Sequence, residues 1–329
     1  MELKTTLNLT PSHTSVSYPA SFVTIGSCFA LAMGKRLKNF KHKVLQNPFG
    51  TIYNPISIHE LLIFALSGER PDEATYLRRD GIYFNYLVHS EVSHPSEKKL
   101  REAIDERLLE TKTALETAEV LMMTYGTALA YRYRDAIVSN CHKMPASMFT
   151  RDVLSADSIT ESFEKFLRLV KDANPNLRII VTVSPVRHLK DTIELNAVSK
   201  SILRVACHQI INRCAGVEYF PAYEFMMDDL RDYRFYQQDM IHPTEQAEEY
   251  IWEKFSDRYF SLETRNLMKE WSRVCSALAH KPFHPATAAH RRFLETLLEQ
   301  LTQLGDKVDT REEIISVKKQ LEVLDSIQE

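Results

Sequence analysis

Five short runs along the chain are apolar without alternation: SFVTIGS (21–27), HKVLQNP (42–48), AEVLMMTYG (118–126), LRIIVTVSP (177–185) and GVEYFPAYE (216–224). A strand with one wet face alternates apolar and polar residues. Continuous β-branched runs suit strands covered on both faces, as in a parallel sheet between helices. The segments between the runs carry helical periodicity. They are 28–40, 54–69, 96–118, 158–173 and 195–216, with a further helix over 245–255. Asn54 followed by Pro55 reads as an N-cap and first helical position, and Gly216 reads as a helix stop. Strand and helix in repeated succession predict an α/β fold with right-handed crossovers.

Two stretches break this rhythm and read as hairpins. One is 76–88, turning at Asp80-Gly81, and the other is 129–140. Past residue 261 the strand pattern ends and three amphipathic helices follow, over 264–279, 286–305 and 310–327. Phe293, Leu297, Leu301 and Leu304 share one face of the second. Ile314, Val317, Leu321 and Leu324 share one face of the third. With Gly305-Asp306 as the turn, these two helices form an antiparallel hairpin. The expected organisation is a sheet domain over 1–261 and a helical extension over 262–329. The extension docks on the sheet domain or, making a homo-oligomer, on a second subunit.

Composition narrows the function without naming it. Of 329 residues, 44% are hydrophobic and 26% charged, with a formal net charge of −3. That balance offers no basic footprint for nucleic acid and points to a small-molecule substrate. The N-terminal MELKTTLNLTPSHTS lacks a basic start and an apolar stretch, and no segment approaches the roughly 20 apolar residues that span a bilayer. No membrane association is expected. Five cysteines, at 28, 141, 207, 214 and 275, show no paired spacing. They read as reduced thiols in a cytoplasmic protein. No Walker loop, GxGxxG or HExxH occurs, and no metal or organic cofactor is expected.

In open α/β sheets, reactive groups gather at the carboxyl ends of the strands. Those ends here are Gly26-Ser27-Cys28, Asn47 to Gly50, Tyr125 to Ala128 and Ser184 to His188, and three of the eight glycines lie among them. Asp239 and His242 follow in DMIHPT, just before a helix. A nucleophile at a helix start, a histidine to move its proton and a carboxylate to hold the imidazole suit acyl transfer. Cys28 and Ser27 are both candidate nucleophiles, and Ser27 also reads as a cap of the following helix. Gly50 and the N–H groups around 27–29 would hold an oxyanion. Arg187 reads as an anion-binding group or a solvated charge. His142 and His188 are weaker candidates. Tyr233 and Tyr236 are packing residues or a pocket rim.

GSCFA, NPFGTIYNP, YGTA, NCHKMP, VSPVRH, FPAYEF, LRDYRFY and DMIHPT occur in this order over roughly residues 15–260. On these motifs the chain resembles the GSCFA-domain family, itself similar to the SGNH (GDSL-type) hydrolases. The resemblance implies a flavodoxin-like three-layer domain that hydrolyses or transfers acyl esters. Aligned without a gap, it puts Cys28 at the nucleophile position and Ser27 where aspartate is usual. A one-residue slip restores Ser27 as the nucleophile. It matches Gly50 to the second block's glycine and Asp239 and His242 to the Asp-x-x-His block. The Gly-Thr-Asn-Asp block falls on Gly126-Thr127-Ala128-Leu129, so Ala128 stands where the oxyanion-hole asparagine belongs. Asn47 or Asn54 would have to replace it. The implied substrate is an acyl ester, with an acetylated carbohydrate as one candidate. The competing expectation is an inactive binding or assembly module, with a thiol-dependent sensor as a third.

Overall fold

The computed structural model describes residues 5–12, 14–190 and 192–328. Its strands are β1 (Ser21–Gly26), β2 (Lys43–Gln46), β3 (Tyr76–Arg79), β4 (Ile82–Asn85), β5 (Val120–Tyr125), β6 (Leu129–Tyr133), β7 (Ala136–Val138), β8 (Thr150–Val153), β9 (Arg178–Val183) and β10 (Val217–Tyr219). The helices are α1 (Cys28–Asn39), α2 (Pro55–Ser67), α3 (Glu97–Thr117), α4 (Ala156–Ala173), α5 (Ile193–Arg213), the single turn α6 (Ala222–Glu224), α7 (Glu245–Tyr259), α8 (Leu262–Leu278), α9 (Ala288–Leu304) and α10 (Arg311–Gln328).

The five apolar runs form one parallel sheet in the order β10-β9-β5-β1-β2. Every residue of β5 is buried, as are all but the first of β1 and β9. Helices flank the sheet, so continuous apolar runs are what such strands require. Counting only these five strands, the order is 2-1-3-4-5, that of a flavodoxin-like doubly wound sheet. Its crevice opens where the order reverses, beyond the carboxyl ends of β1 and β5. Registers of Gly26 with Thr124 and of Tyr125 with Val183 set those ends side by side.

The first hairpin is β3–β4, with Asp80 and Gly81 both at positive φ in its turn. The second, β6–β7, is joined on its other edge by β8, a strand the apolar pattern did not predict. β8 reads Thr-Arg-Asp-Val, and its Asp152 pairs with Arg132 of β6 at 2.9 Å. Helix α5 ends at Arg213, and Gly216 takes the left-handed conformation three residues later.

The chain divides into two compact units. One holds Ala20–Leu37 and Lys43–Phe255 with the start of the chain to Thr10. The other holds Pro11–Pro19, Lys38–His42 and the chain from Ser256 onward. Within the second, Trp271, Val274, Leu294, Leu297, Leu301 and Val317 form a core. The Trp271 indole donates to Asn39 O at 2.7 Å, and Lys41 pairs with Glu313 at 2.6 Å. Arg291 near the start of α9 pairs with Asp325 near the end of α10, which makes the two antiparallel. Among the described residues, no helix is long and apolar enough to cross a membrane.

Candidate active site

Gly26 ends β1 at φ +136°, where a Cβ would stand 2.1 Å from Thr124 O. Only glycine reconciles that dihedral with so close a strand. Its N–H donates to Asn47 Oδ1 at 3.0 Å and its carbonyl accepts from Ile52 N at 3.0 Å. Ser27 is completely buried. Its N–H donates to Thr124 O at 3.1 Å and its hydroxyl accepts from Phe29 N at 3.3 Å. It therefore caps α1, and Cys28 is the first residue inside that helix. Cys28 is half-buried, and its N–H has no partner within the helix.

The thiol of Cys28 lies 3.7 Å from the hydroxyl of Tyr53. Tyr53 is held from the sheet. Its carbonyl accepts from Gly126 N at 2.8 Å and Thr127 N at 3.1 Å. Its ring meets His188 edge-on with centroids 4.8 Å apart. A Cβ on Gly126 would come within 3.1 Å of that ring and 3.2 Å of His188 Nε2, so this glycine makes room for both. Burial, with the neighbouring Cys28 adding to it, raises the phenol above its ordinary pKa. Burial also lowers His188 to about 4, and Lys200 and His242 add to the effect. His188 Nε2 is buried, with no hydrogen-bond partner among the described residues.

Lys200, on α5, is buried beneath these residues. It donates to Gly126 O at 2.8 Å and Ser184 O at 2.7 Å, which ties the carboxyl ends of β5 and β9 together. Burial lowers its pKa to about 7.

The second pair sits on the turn before α7. His242 Nδ1 and Asp239 Oδ2 are 2.7 Å apart, and both side chains are exposed. Asp239 also accepts from the N–H groups of Ile241 and His242. Hydrogen bonding to His242 is the main cause that lowers its carboxyl to about 2. An ionised carboxylate has no proton to give, so the His242 Nδ1–H donates. Among the described residues no hydrogen bond joins His242 to Cys28.

Several residues expected to hold an oxyanion have other employment. The Gly50 N–H donates to Asn47 O at 2.8 Å, inside a turn that Gly50 enters at φ +75°. Asn47 spends its amide on the backbone of Gly26. Asn54 caps α2, accepting from Ser57 N at 2.8 Å, as its place before Pro55 predicts. Thr127 bonds Ser199 through its hydroxyl at 3.0 Å, and Ser199 Oγ also accepts from Ala128 N at 2.7 Å. Every N–H from Gly126 to Ala128 is thus committed.

Arg187 lies 3.9 Å over the ring of Tyr236 and lines a separate cavity of about 170 Å³ with Tyr233 and Tyr236. A larger cavity of about 430 Å³ opens beside Tyr53 and His188, within the size range of small-molecule pockets. The insert spanning β6 to β8 supplies Leu129, Val138 and Phe149 to its apolar wall, and Lys143 and Lys190 add charge. His142 lines it too. Its Nε2 meets Asn85 O at 2.8 Å, a structural bond. Among the described residues no group of three or more His, Cys, Asp or Glu could hold a metal ion.

Sequence reasoning passed over Tyr53 and Lys200. Tyr53 lies in NPFGTIYNP between the two residues that drew attention, Gly50 and Asn54. Lys200 shares a helical face with Asn196, Leu203 and Cys207, all buried, and that periodicity is visible in the sequence.

The sequence model of the GSCFA family matches residues 21–255, and that of the GSCFA domain protein C-terminal domain matches 271–323. No curated protein matches the chain. The first match takes in the sheet, Cys28, Tyr53 and the Asp239–His242 pair, and the chain belongs to the GSCFA family.

Proposed function

We propose that this protein transfers or hydrolyses acyl esters through a thioester on Cys28. The observation that carries the reading is the position of that thiol. It is half-buried at the first residue of α1, at the crevice of a doubly wound sheet, with a hydroxyl 3.7 Å away. The helix N-terminus favours negative charge on the sulfur and on an adjacent oxyanion. Ser27 is buried and committed to its cap, so the sulfur is the better placed of the two nucleophiles.

The step balances as follows. His242 Nε2 takes the thiol proton, and the sulfur forms a bond to the acyl carbon while the carbonyl π electrons move onto oxygen. Collapse breaks the bond to the alcohol oxygen, which leaves with the proton from His242. Water or a second alcohol then attacks the thioester by the same steps in reverse. Asp239 holds the imidazole tautomer and balances its charge. Catalytic hydrogen bonds are often long before substrate binds, and the Cys28–His242 bond would form in the substrate complex. The cavity beside Tyr53 would hold the acyl group or the acceptor. The resemblance to SGNH hydrolases is consistent with this chemistry.

A binding module is the second reading, favoured by the engagement of Gly50, Asn47 and residues 126–128 in structural bonds. The two separate in a p-nitrophenyl acetate assay of wild type, Cys28→Ala, Ser27→Ala and His242→Ala. The enzyme reading expects Cys28→Ala and His242→Ala to lose nitrophenolate release and Ser27→Ala to keep it. Wild-type release no faster than Cys28→Ala would leave the binding module.

A further inference from the structure

Acyl transfer needs a donor for the oxyanion, and the residues that usually supply it are taken. The amide expected after Gly126-Thr127 is absent, since Ala128 stands there. The N–H groups of Gly126, Thr127, Ala128 and Gly50 are all bonded, as are the amides of Asn47 and Asn54. Among the described residues, the donors left uncommitted beside the sulfur are the Cys28 N–H and the hydroxyl of Tyr53.

We infer that Tyr53 is the side-chain oxyanion donor of this site, in place of the missing amide. This rests on the acyl-transfer reading above and adds a catalytic residue to it. Three features of the fold support it. First, the distance fits. The sulfur and the oxygen of its tetrahedral adduct are separated by two bonds, so a hydroxyl 3.7 Å from the sulfur can stand about 3 Å from that oxygen.

Second, the ring is fixed. Its backbone carbonyl takes two hydrogen bonds from Gly126 and Thr127, and Gly126 and His188 pack against the ring. The block that would have carried the asparagine thus holds the tyrosine instead. Preorganisation of this kind is what makes an oxyanion donor effective. Third, the phenol is held in its protonated form, its pKa raised by burial and by Cys28, so it donates throughout the neutral range.

During acylation the carbonyl π electrons pass to oxygen as the C–S bond forms, and the Tyr53 O–H bond shortens the contact to that oxygen without giving up its proton. On collapse the electrons return and the C–O bond to the leaving alcohol breaks.

The test is single-turnover acylation of the full chain by p-nitrophenyl acetate, run beside alkylation of Cys28 by iodoacetamide. Alkylation displaces iodide from a saturated carbon and develops no oxyanion. Tyr53→Phe removes only the hydroxyl, and its acylation is expected to fall about 10²–10³-fold while alkylation keeps the wild-type rate. If both rates fall together, Tyr53 tunes the thiol or the fold and the inference is overturned. If neither falls, it is overturned too. Wild-type acylation no faster than in Cys28→Ala would sink the acyl-transfer reading itself, and this inference with it.

Should Tyr53→Phe fold poorly, 3,5-difluorotyrosine at position 53 keeps the ring and the hydroxyl but ionises more readily. An alkaline loss of acylation is then expected at lower pH than in wild type, because a phenolate has no proton to donate. Coincident pH profiles would count against Tyr53.

Discussion

The corner around Cys28 and the turn carrying Asp239 and His242 are built on opposite principles. At Cys28 the backbone is wedged between strands, and Gly26 has no room for a methyl group. Ser27 is completely buried, and the end of β1 is tied to Thr124, Asn47 and Ile52. At Asp239 the carboxylate organises a short turn through three bonds to Ile241 and His242, and both side chains face solvent. The first is rigid because the core passes through it, the second because three local bonds close a loop. Substitutions that add bulk should therefore unfold the first, whereas those at the second should merely disarm it.

The largest expected effect is at Gly26. In Gly26→Ala the new Cβ meets Thr124 O at an unfavourable φ, and strain with overpacking costs about 4 kcal/mol or more. That is a large share of the stability of any domain. A wild-type denaturant midpoint in this variant would break the comparison.

His242→Ala should slow acylation about 10³-fold, equivalent to about 4 kcal/mol in the barrier. Its unfolding free energy should stay within about 1 kcal/mol of wild type. Destabilisation as large as at Gly26 would show that the turn, too, belongs to the core.

Acid should act on buried imidazoles in the sheet unit. Burial lowers His188 to about 4 and His59, a fully buried residue of α2 whose Nε2 lies 2.7 Å from the Tyr125 hydroxyl, to about 3, against about 6.5 in the unfolded chain. Below pH 6.5 the unfolded state binds the extra protons, so stability falls as pH drops toward these folded values. Each histidine should remove about 2 kcal/mol between pH 7 and pH 5. Burial raises the Glu60 carboxyl to about 7, which acts in the opposite sense and is common to wild type and variants. Urea midpoints of wild type, His188→Gln and His59→Gln at the two pH values check this, and a variant that loses as much stability as wild type would remove its histidine as a buried neutral group.

The smallest effect sharpens the contrast within two adjacent residues. Ser27→Ala loses a helix cap, worth about 1 kcal/mol, and should keep its acylation rate. Loss of acylation with little change in stability would transfer the nucleophile to Ser27.

Much of this fold is legible in local pattern. The five apolar runs became the five parallel strands, and the caps at Asn54 and Ser27 lie where capping chemistry places them. The strand β8 escaped because its Thr-Arg-Asp-Val sequence carries no apolar run and pairs at a sheet edge with charged side chains. The Asp239–His242 pair was legible because three residues of spacing suffice to close it. Gly50 and Asn47 were plausible oxyanion donors by position. Only the folded chain shows that each is already bonded, Gly50 to Asn47 and Asn47 to Gly26.

By itself the sequence determined the alternation of strands and helices, the Cys28 helix start and the Asp-x-x-His turn, because hydrophobic periodicity, caps and short-range spacing act within a few residues. Tertiary structure alone decided that Tyr53 stands against Cys28, that His188 closes on Tyr53 and that Lys200 joins the ends of β5 and β9. Those contacts join residues 16 to 135 positions apart, and no local preference encodes them. They arise when packing of the sheet and its helices brings the strand ends together and leaves each buried polar group only the partners it finds there.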